Sequence, residues 1–331
     1  MPSHIRSFWV TSPGQGEIAA SACPPANDEA LADDAAIVRT LYSAVSRGTE
    51  SLVFHGRVPA NQYAVMRAPF QEGDFPGPVK YGYLNVGMVE TGPAELVGRT
   101  VFSLYPHQTR FRIPAHSLTP VPKAVPPERA VLAGIVETAL NALWDAPPRI
   151  GDRIAVVGAG TVGCCVAALL ARIPGVRVQL VDIDPTRADV AAALGVAFAP
   201  PIHAADDCDL VFHASATQAG LQRSLELLAP EGSVIDLSWY GDQPVTLPLG
   251  EFFHSRRLSL RSSQVGAIPP KQRGRYTTAD RIALALDLLR DPVFDVLITG
   301  ESDFDDLPQV IADIADGRLP GLCHRIRYDP F

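Results

Sequence analysis

The chain has 331 residues, 47% hydrophobic and 19% charged, with a formal net charge of −8. That composition excludes wholesale disorder, and the negative balance argues against a nucleic-acid partner, because phosphate binding needs a basic face. The length suits about two domains. The amino terminus, MPSHIRSFWV, lacks a charged segment leading into an apolar one, so no secretory leader is expected. Apolar stretches are broken by Gly, Pro or charge well short of a bilayer span of about 20 residues. No membrane partner is therefore expected, and the expected location is cytoplasmic. The five cysteines, Cys23, Cys164, Cys165, Cys208 and Cys323, contain no CxxC pair. They read as free thiols and offer no four-cysteine zinc site.

Residues 1 to about 125 carry short strand-like runs: SFWVT, AAIVRTLYSAV, GYLNVGMVE, RTVFSL and TRFRIPA. Pro and Gly punctuate them, which predicts an antiparallel β-rich domain. Between AAIVRTLYSAV and an apolar LVF lies VSRGTE, a dense polar segment that either caps a turn or lines a site. PPERAVLAGIVETALNALWDA repeats apolar residues at helical spacing and reads as one helix. From Arg153 to about Gly266 strand and helix patterns alternate, through RIAVVGAG, TVGCCVAALLARI, VRVQLVDID, PTRADVAAALG, CDLVFHASA, QAGLQRSLELLA and GSVIDLSWY. This alternation predicts an α/β fold with a doubly wound parallel sheet. TADRIALALDLLRD and FDDLPQVIADIADG then read as amphipathic helices, and HRIRYDPF as a short closing strand or tail.

RIAVVGAGTVG places Gly158, Gly160, Thr161, Val162 and Gly163 between a strand and a helix. In such a turn the first glycine permits the bend, the second admits a pyrophosphate, and the third lets helix and strand pack closely. The phosphates sit at the positive end of the helix. Asp182, at the end of VRVQLVDID, lies at the offset expected of a carboxylate that binds the adenosine ribose. It would repel a 2′-phosphate, so NAD is the expected cofactor and NADP the less favoured one. Arg187 and Ala214 are further expected cofactor contacts.

The layout resembles the medium-chain dehydrogenase/reductase superfamily, the alcohol-dehydrogenase-like enzymes. GYLNVGMVETG, LAGIVETALNAL, GDRIAVVGAGTVG, LVDID, HASAT and LAPEGSVIDLSWYG carry the resemblance over nearly the whole chain. SRGTE and KYGYLNVG are nearest in character to the branch containing bacteriochlorophyllide-type hydroxyethyl dehydrogenases. The resemblance implies a split GroES-like β-rich catalytic domain around a Rossmann domain. The expected boundaries are 1–130 for the first catalytic part, 131–266 for the Rossmann domain and 267–331 for the returning catalytic segment. It also implies that Ser46 stands where zinc members carry a cysteine ligand, and Tyr83 where they carry a histidine. Gly134 aligns with the third ligand, with Glu137 close by. Neutral hydroxyls and a glycine are poor zinc donors, so neither catalytic nor structural zinc is expected.

Without a metal, Tyr83 is the expected hydrogen-bond donor to a reacting oxygen. Ser46, Thr49 and Glu50 are candidate proton-handling groups, and His107, in LYPHQTRF, a candidate acid or base. The resemblance implies that Arg47 contacts the cofactor pyrophosphate. It also implies that Trp239 and Tyr240 lie near the nicotinamide and that Ser263 lies at the returning strand. The leading reading is a zinc-independent, NAD(H)-linked oxidoreductase acting on an alcohol or carbonyl of a small metabolite. Alternatives are a quinone or enone reductase and a dinucleotide-binding protein that catalyses nothing. A homodimer is expected, with RRLSLRSSQVG as a candidate sheet edge.

Overall fold

The computed structural model describes residues 5–21 and 34–329; Cys23 lies outside them. The chain divides into two compact units, Met1–Gly134 with Ile298–Phe331, and Ile135–Leu297.

In the first unit β1 (Ile5–Ser12) and β2 (Gln15–Ser21) form an antiparallel hairpin. With β4 (Glu72–Gly73) and β5 (Val79–Lys80) they make a sheet of order β2-β1-β5-β4. The larger sheet is built on β3 (Ala35–Val45), β6 (Asn85–Thr91), β7 (Thr100–Ser103), β8 (Arg110–Pro114) and β9 (Thr119–Pro120). Two C-terminal strands, β16 (Ile298–Asp303) and β17 (Cys323–Arg327), complete it in the order β16-β17-β3-β6-β7-β9, with β8 on β3. β3 alternates because a half-covered strand buries every second residue. Ala36 and Val38 turn inward to a core with Val89, Val101, Tyr105, Phe111 and Ile113. Each buried Val, Ile or Phe side chain there stabilises the fold by roughly 1.5–3 kcal/mol. Two helices, α1 (Arg47–Phe54) and α9 (Leu307–Ala315), pack on each other, α9 burying Leu307, Val310, Ile311 and Ile314.

The second unit holds β10 (Arg153–Val157), β11 (Arg177–Val181), β12 (Ala197–Ala199), β13 (Cys208–His213), β14 (Leu228–Asp236) and β15 (Ser259–Ser262). All pair in parallel, in the order β12-β11-β10-β13-β14-β15. β10 is nearly all apolar, as a strand covered on both faces must be. The chain winds one way from β10 to β12, then crosses back to β13 and winds the other way. The switch point, where doubly wound sheets bind ligands, therefore lies between β10 and β13. The helices α4 (Thr161–Leu170), α5 (Arg187–Leu194), α6 (Gln218–Glu226), α7 (Phe252–Ser255) and α8 (Thr278–Leu288) belong to this unit.

Three features differ from the sequence expectation. The run PPERAVLAGIVETALNALWDA forms two helices, α2 (Pro127–Ala130) and α3 (Ala133–Asp145). The Leu132 N–H bonds the Arg129 carbonyl, a tighter turn that interrupts the α-helix there. Residues 267–297, expected in the returning segment, fall in the second unit. Arg281 of α8 is 2% exposed and needs its partners: Glu137 at 2.9 Å, together with Asn141 and the Val265 carbonyl. A buried guanidinium without them would be strongly destabilising. Third, β12 and β16 are extra strands; β16, ITGESD, alternates with polar residues and has no strong apolar signal.

Candidate active site and dinucleotide site

VSRGTE is the opening of a helix. Ser46 is the N-cap of α1, at φ −80° and ψ 92°, but its hydroxyl does not cap. Instead the Ser46 backbone N–H donates to Glu50 Oε1 at 2.8 Å, so the helix start is tied down by Glu50. That leaves Ser46 Oγ to accept the Tyr83 hydroxyl at 2.6 Å. Thr49 bonds the same phenol. Burial pushes the Tyr83 pKa up, and the Ser46 and Thr49 hydrogen bonds only partly offset it. The phenol is thus a neutral donor near pH 7.

Glu50 continues inward. Its Oε2 lies 2.9 Å from His107 Nε2, and His107 Nδ1 lies 2.7 Å from Ser43 Oγ. Ser43 in turn meets the Tyr328 hydroxyl at 3.0 Å. His107 is 1% and Glu50 4% exposed, so His107 faces a carboxylate and a hydroxyl rather than open space. Gly82, at φ +124°, makes room for it, since a Cβ there would stand 2.8 Å from the imidazole Cδ2. Burial drives the Tyr328 hydroxyl far above its ordinary pKa. Ser43 and Tyr328 went unread in the sequence: one sits inside the strand run AAIVRTLYSAV, the other in the closing segment HRIRYDPF. Arg47 donates to the Leu319 carbonyl at 2.8 Å.

In the second unit the glycine turn joins β10 to α4. Gly158 has φ +106°, and a Cβ there would meet Ser215 N at 2.6 Å. A Cβ on Gly163 would lie 1.9 Å from the Gly158 carbonyl oxygen, whereas at Gly160 no atom stands within 4 Å. The first and third glycines are sterically required, and the second leaves the approach to the helix end open. Thr161 and Val162 open α4, whose first amides have no acceptor within the helix. Asp182 Oδ2 accepts the Ala159 N–H at 2.6 Å and Oδ1 the Asp184 N–H at 2.9 Å. A carboxylate has about four lone-pair sites, so two remain for ribose hydroxyls. Arg187 pairs with Asp184 at 3.2 Å. These residues fit a dinucleotide.

No family model matches the chain. It is 27% identical over 224 residues to an uncharacterized zinc-type alcohol dehydrogenase-like protein of Haemophilus influenzae, covering 63% of this chain and 61% of that protein. It is 24% identical over 178 residues to (R,R)-butanediol dehydrogenase of Saccharomyces cerevisiae, covering 50% of this chain and 43% of the other. The matched stretches thus span less than two thirds of these relatives' lengths. Among solved structures, Escherichia coli L-idonate 5-dehydrogenase superposes with a TM-score of 0.79 at 14% identity, over 99% of each chain. An E. coli short chain alcohol dehydrogenase complexed with NADH gives 0.76 at 16% identity, over 98% of this chain and 99% of the other. In sequence the chain is similar to zinc-type alcohol dehydrogenase-like proteins, and it shares the fold of these dehydrogenases.

Ser46 and Tyr83, which the resemblance aligns with two ligand positions of zinc enzymes, are bonded to each other. Glu137 is committed to Arg281. Burial raises its pKa, and Arg281 only partly counters that. Among the described residues no group of three His, Cys, Asp or Glu could hold a metal ion. Ser263 donates to Asp145 Oδ2 at 2.7 Å. Ala214 and Trp239 are half-buried just past β13 and β14. The Tyr240 hydroxyl donates to Asp236 Oδ2 at 3.0 Å, joining a network around His213. Burial would raise the Asp236 pKa, but hydrogen bonds from His213, the Ser238 N–H and Tyr240 outweigh it and hold the carboxyl below its ordinary value.

Proposed function

We propose that the chain is an NAD(H)-linked oxidoreductase that interconverts an alcohol and a carbonyl of a small metabolite without a catalytic zinc. The observation that carries the reading is the Tyr83–Ser46 hydroxyl pair. A catalytic zinc needs three protein donors of the Cys, His, Asp or Glu type. Ser and Tyr are weak donors, and Glu50, the nearest carboxylate, already serves Ser46 and His107. The donor set does not fit zinc.

Bound nicotinamide would supply or take up the hydride. The rest falls to the chain. With substrate bound, Tyr83 Oη turns its one proton from Ser46 Oγ to the substrate oxygen, and the Ser46 and Thr49 hydroxyls donate to the phenol oxygen and orient it. Glu50 anchors the start of α1 and His107 holds Glu50. Asp182 reads the adenosine ribose and disfavours a 2′-phosphate. β15 stands at the sheet edge with all four residues exposed, which supports a homodimer formed through that edge. The buried cysteines Cys164, Cys165, Cys208 and Cys323 suit a reducing intracellular location.

The test is turnover of the purified chain with NAD+ and NADP+ against panels of alcohols, quinones and enones. The expected result is oxidation of an alcohol with NAD+ preferred. Reduction of enones alone, with NADPH preferred, would replace this reading with the C=C reductase.

A further inference from the structure

In the second unit, Ser215, His213 and Asp236 stand in the order that turns a hydroxyl into a nucleophile. His213 ends β13, and Asp236 ends β14 in register beside it. Asp236 Oδ1 lies 2.9 Å from His213 Nδ1, and His213 Nε2 lies 2.7 Å from Ser215 Oγ. The imidazole is fully buried, while Ser215 is half-exposed at the sheet's C-terminal end. The Tyr240 hydroxyl and the Ser238 N–H, each at 3.0 Å, fix the carboxylate. A carboxylate so placed keeps the imidazole proton on Nδ1. Nε2 then presents a lone pair to the Ser215 hydroxyl, which also lies 2.9 Å from Thr217 Oγ1.

The surrounding backbone keeps this arrangement clear. Ala216, which follows Ser215, has φ +52°, an uncommon conformation outside glycine that turns the strand sharply into α6. Thr217 caps α6, accepting the Gly220 N–H at 3.0 Å, and its own N–H reaches Ser215 Oγ at 3.4 Å. A Cβ at Gly220 would stand 2.1 Å from Ser215 Oγ and 3.0 Å from His213 Nε2. Only glycine leaves room for the hydroxyl on its base, although alanine is the better helix former. Hydride transfer, as proposed above, gives neither His213 nor Ser215 a chemical task.

We propose that Ser215 is a nucleophile toward acyl groups, with small activated esters as its substrate class. Ser215 Oγ attacks the ester carbonyl carbon while its proton passes to His213 Nε2. The carbonyl–oxygen single bond breaks, and the alcohol leaves with that proton. Water then gives a proton to the same Nε2, attacks the acyl-serine, and releases a carboxylic acid, and the proton returns to Ser215. Nothing is oxidised or reduced, so the activity stands independently of the oxidoreductase reading.

The test is to treat the whole protein with p-nitrophenyl acetate and, separately, with a fluorophosphonate probe. The expected result is a burst of one p-nitrophenol per chain and a phosphonylated Ser215 peptide in the mass spectrum. Labelling should run about 100-fold faster than in the denatured chain, the gain a positioned base provides. Ser215→Ala should abolish it. Gly220→Ala, which keeps the serine but displaces its hydroxyl, should slow it at least tenfold. Circular dichroism melts of both variants establish that the loss is not unfolding. An unmodified Ser215 peptide in the native wild type, or equal labelling of wild type and either folded variant, overturns the proposal.

Discussion

Tyr83 and Ser46 are the residues on which the proposed chemistry turns. The phenol is neutral because burial raises its pKa, and it is aimed because Ser46 and Thr49 hold its oxygen. Tyr83→Phe removes the donor and little else. It should lower kcat by about 100-fold to 1,000-fold, the cost of one lost donor at a developing oxyanion, and leave NADH affinity unchanged. Steady-state kinetics with a parallel NADH titration checks this. Both residues were legible because the resemblance to zinc alcohol dehydrogenases aligns them with metal-ligand positions. Residue type also made Asp182 legible, since a carboxylate ending the strand after a glycine turn has few other uses. His107 was legible as a polar group near the site, but its role was not. Only the fold brings Glu50, Ser43 and Tyr328 around it, from positions 57, 64 and 221 residues away in sequence. The same holds for His213 and Asp236, which meet through parallel pairing of two strands.

Elements were read best where local chemistry and tertiary context agree. The strand–glycine turn–helix from β10 to α4 is the clearest case, because each glycine answers a separate steric demand. Gly163→Ala places a Cβ 1.9 Å from the Gly158 carbonyl and forces helix and strand apart. Overpacking of that kind costs about 1–3 kcal/mol, and the turn should lose its fit to a pyrophosphate. The variant should unfold at lower urea and bind NADH more weakly in a fluorescence titration; unchanged binding would show that the turn does not hold the dinucleotide. VSRGTE was harder to read. Its polar density suits a turn or a site, and the structure makes it a helix start in which Glu50 satisfies the backbone and thereby leaves the Ser46 hydroxyl available. The boundary between α2 and α3 was illegible because apolar periodicity runs straight through it.

For the whole molecule, the alternation of patterns gave the architecture, but the extent of each unit depends on contacts distant in sequence, such as Arg281 with Glu137. Acid stability is a property at this scale. Burial, with help from Arg47, lowers the His324 pKa below its ordinary 6.5. The unfolded chain therefore binds that proton first, and stability falls as pH drops below 6.5. Asp236 acts lower down: its folded pKa is depressed, so its contribution is present above 3.8 and lost as pH falls through the folded value. Urea midpoints measured from pH 8 to pH 3 should decline in both ranges, and His324→Gln should flatten the upper one. The account rests most heavily on hydroxyls replacing a metal. The most direct measurement is NAD+-dependent alcohol oxidation by chain treated with a strong zinc chelator and assayed for metal. Full activity at well under one zinc per chain is the predicted result. Activity that vanishes with the zinc and returns when zinc is restored would contradict it.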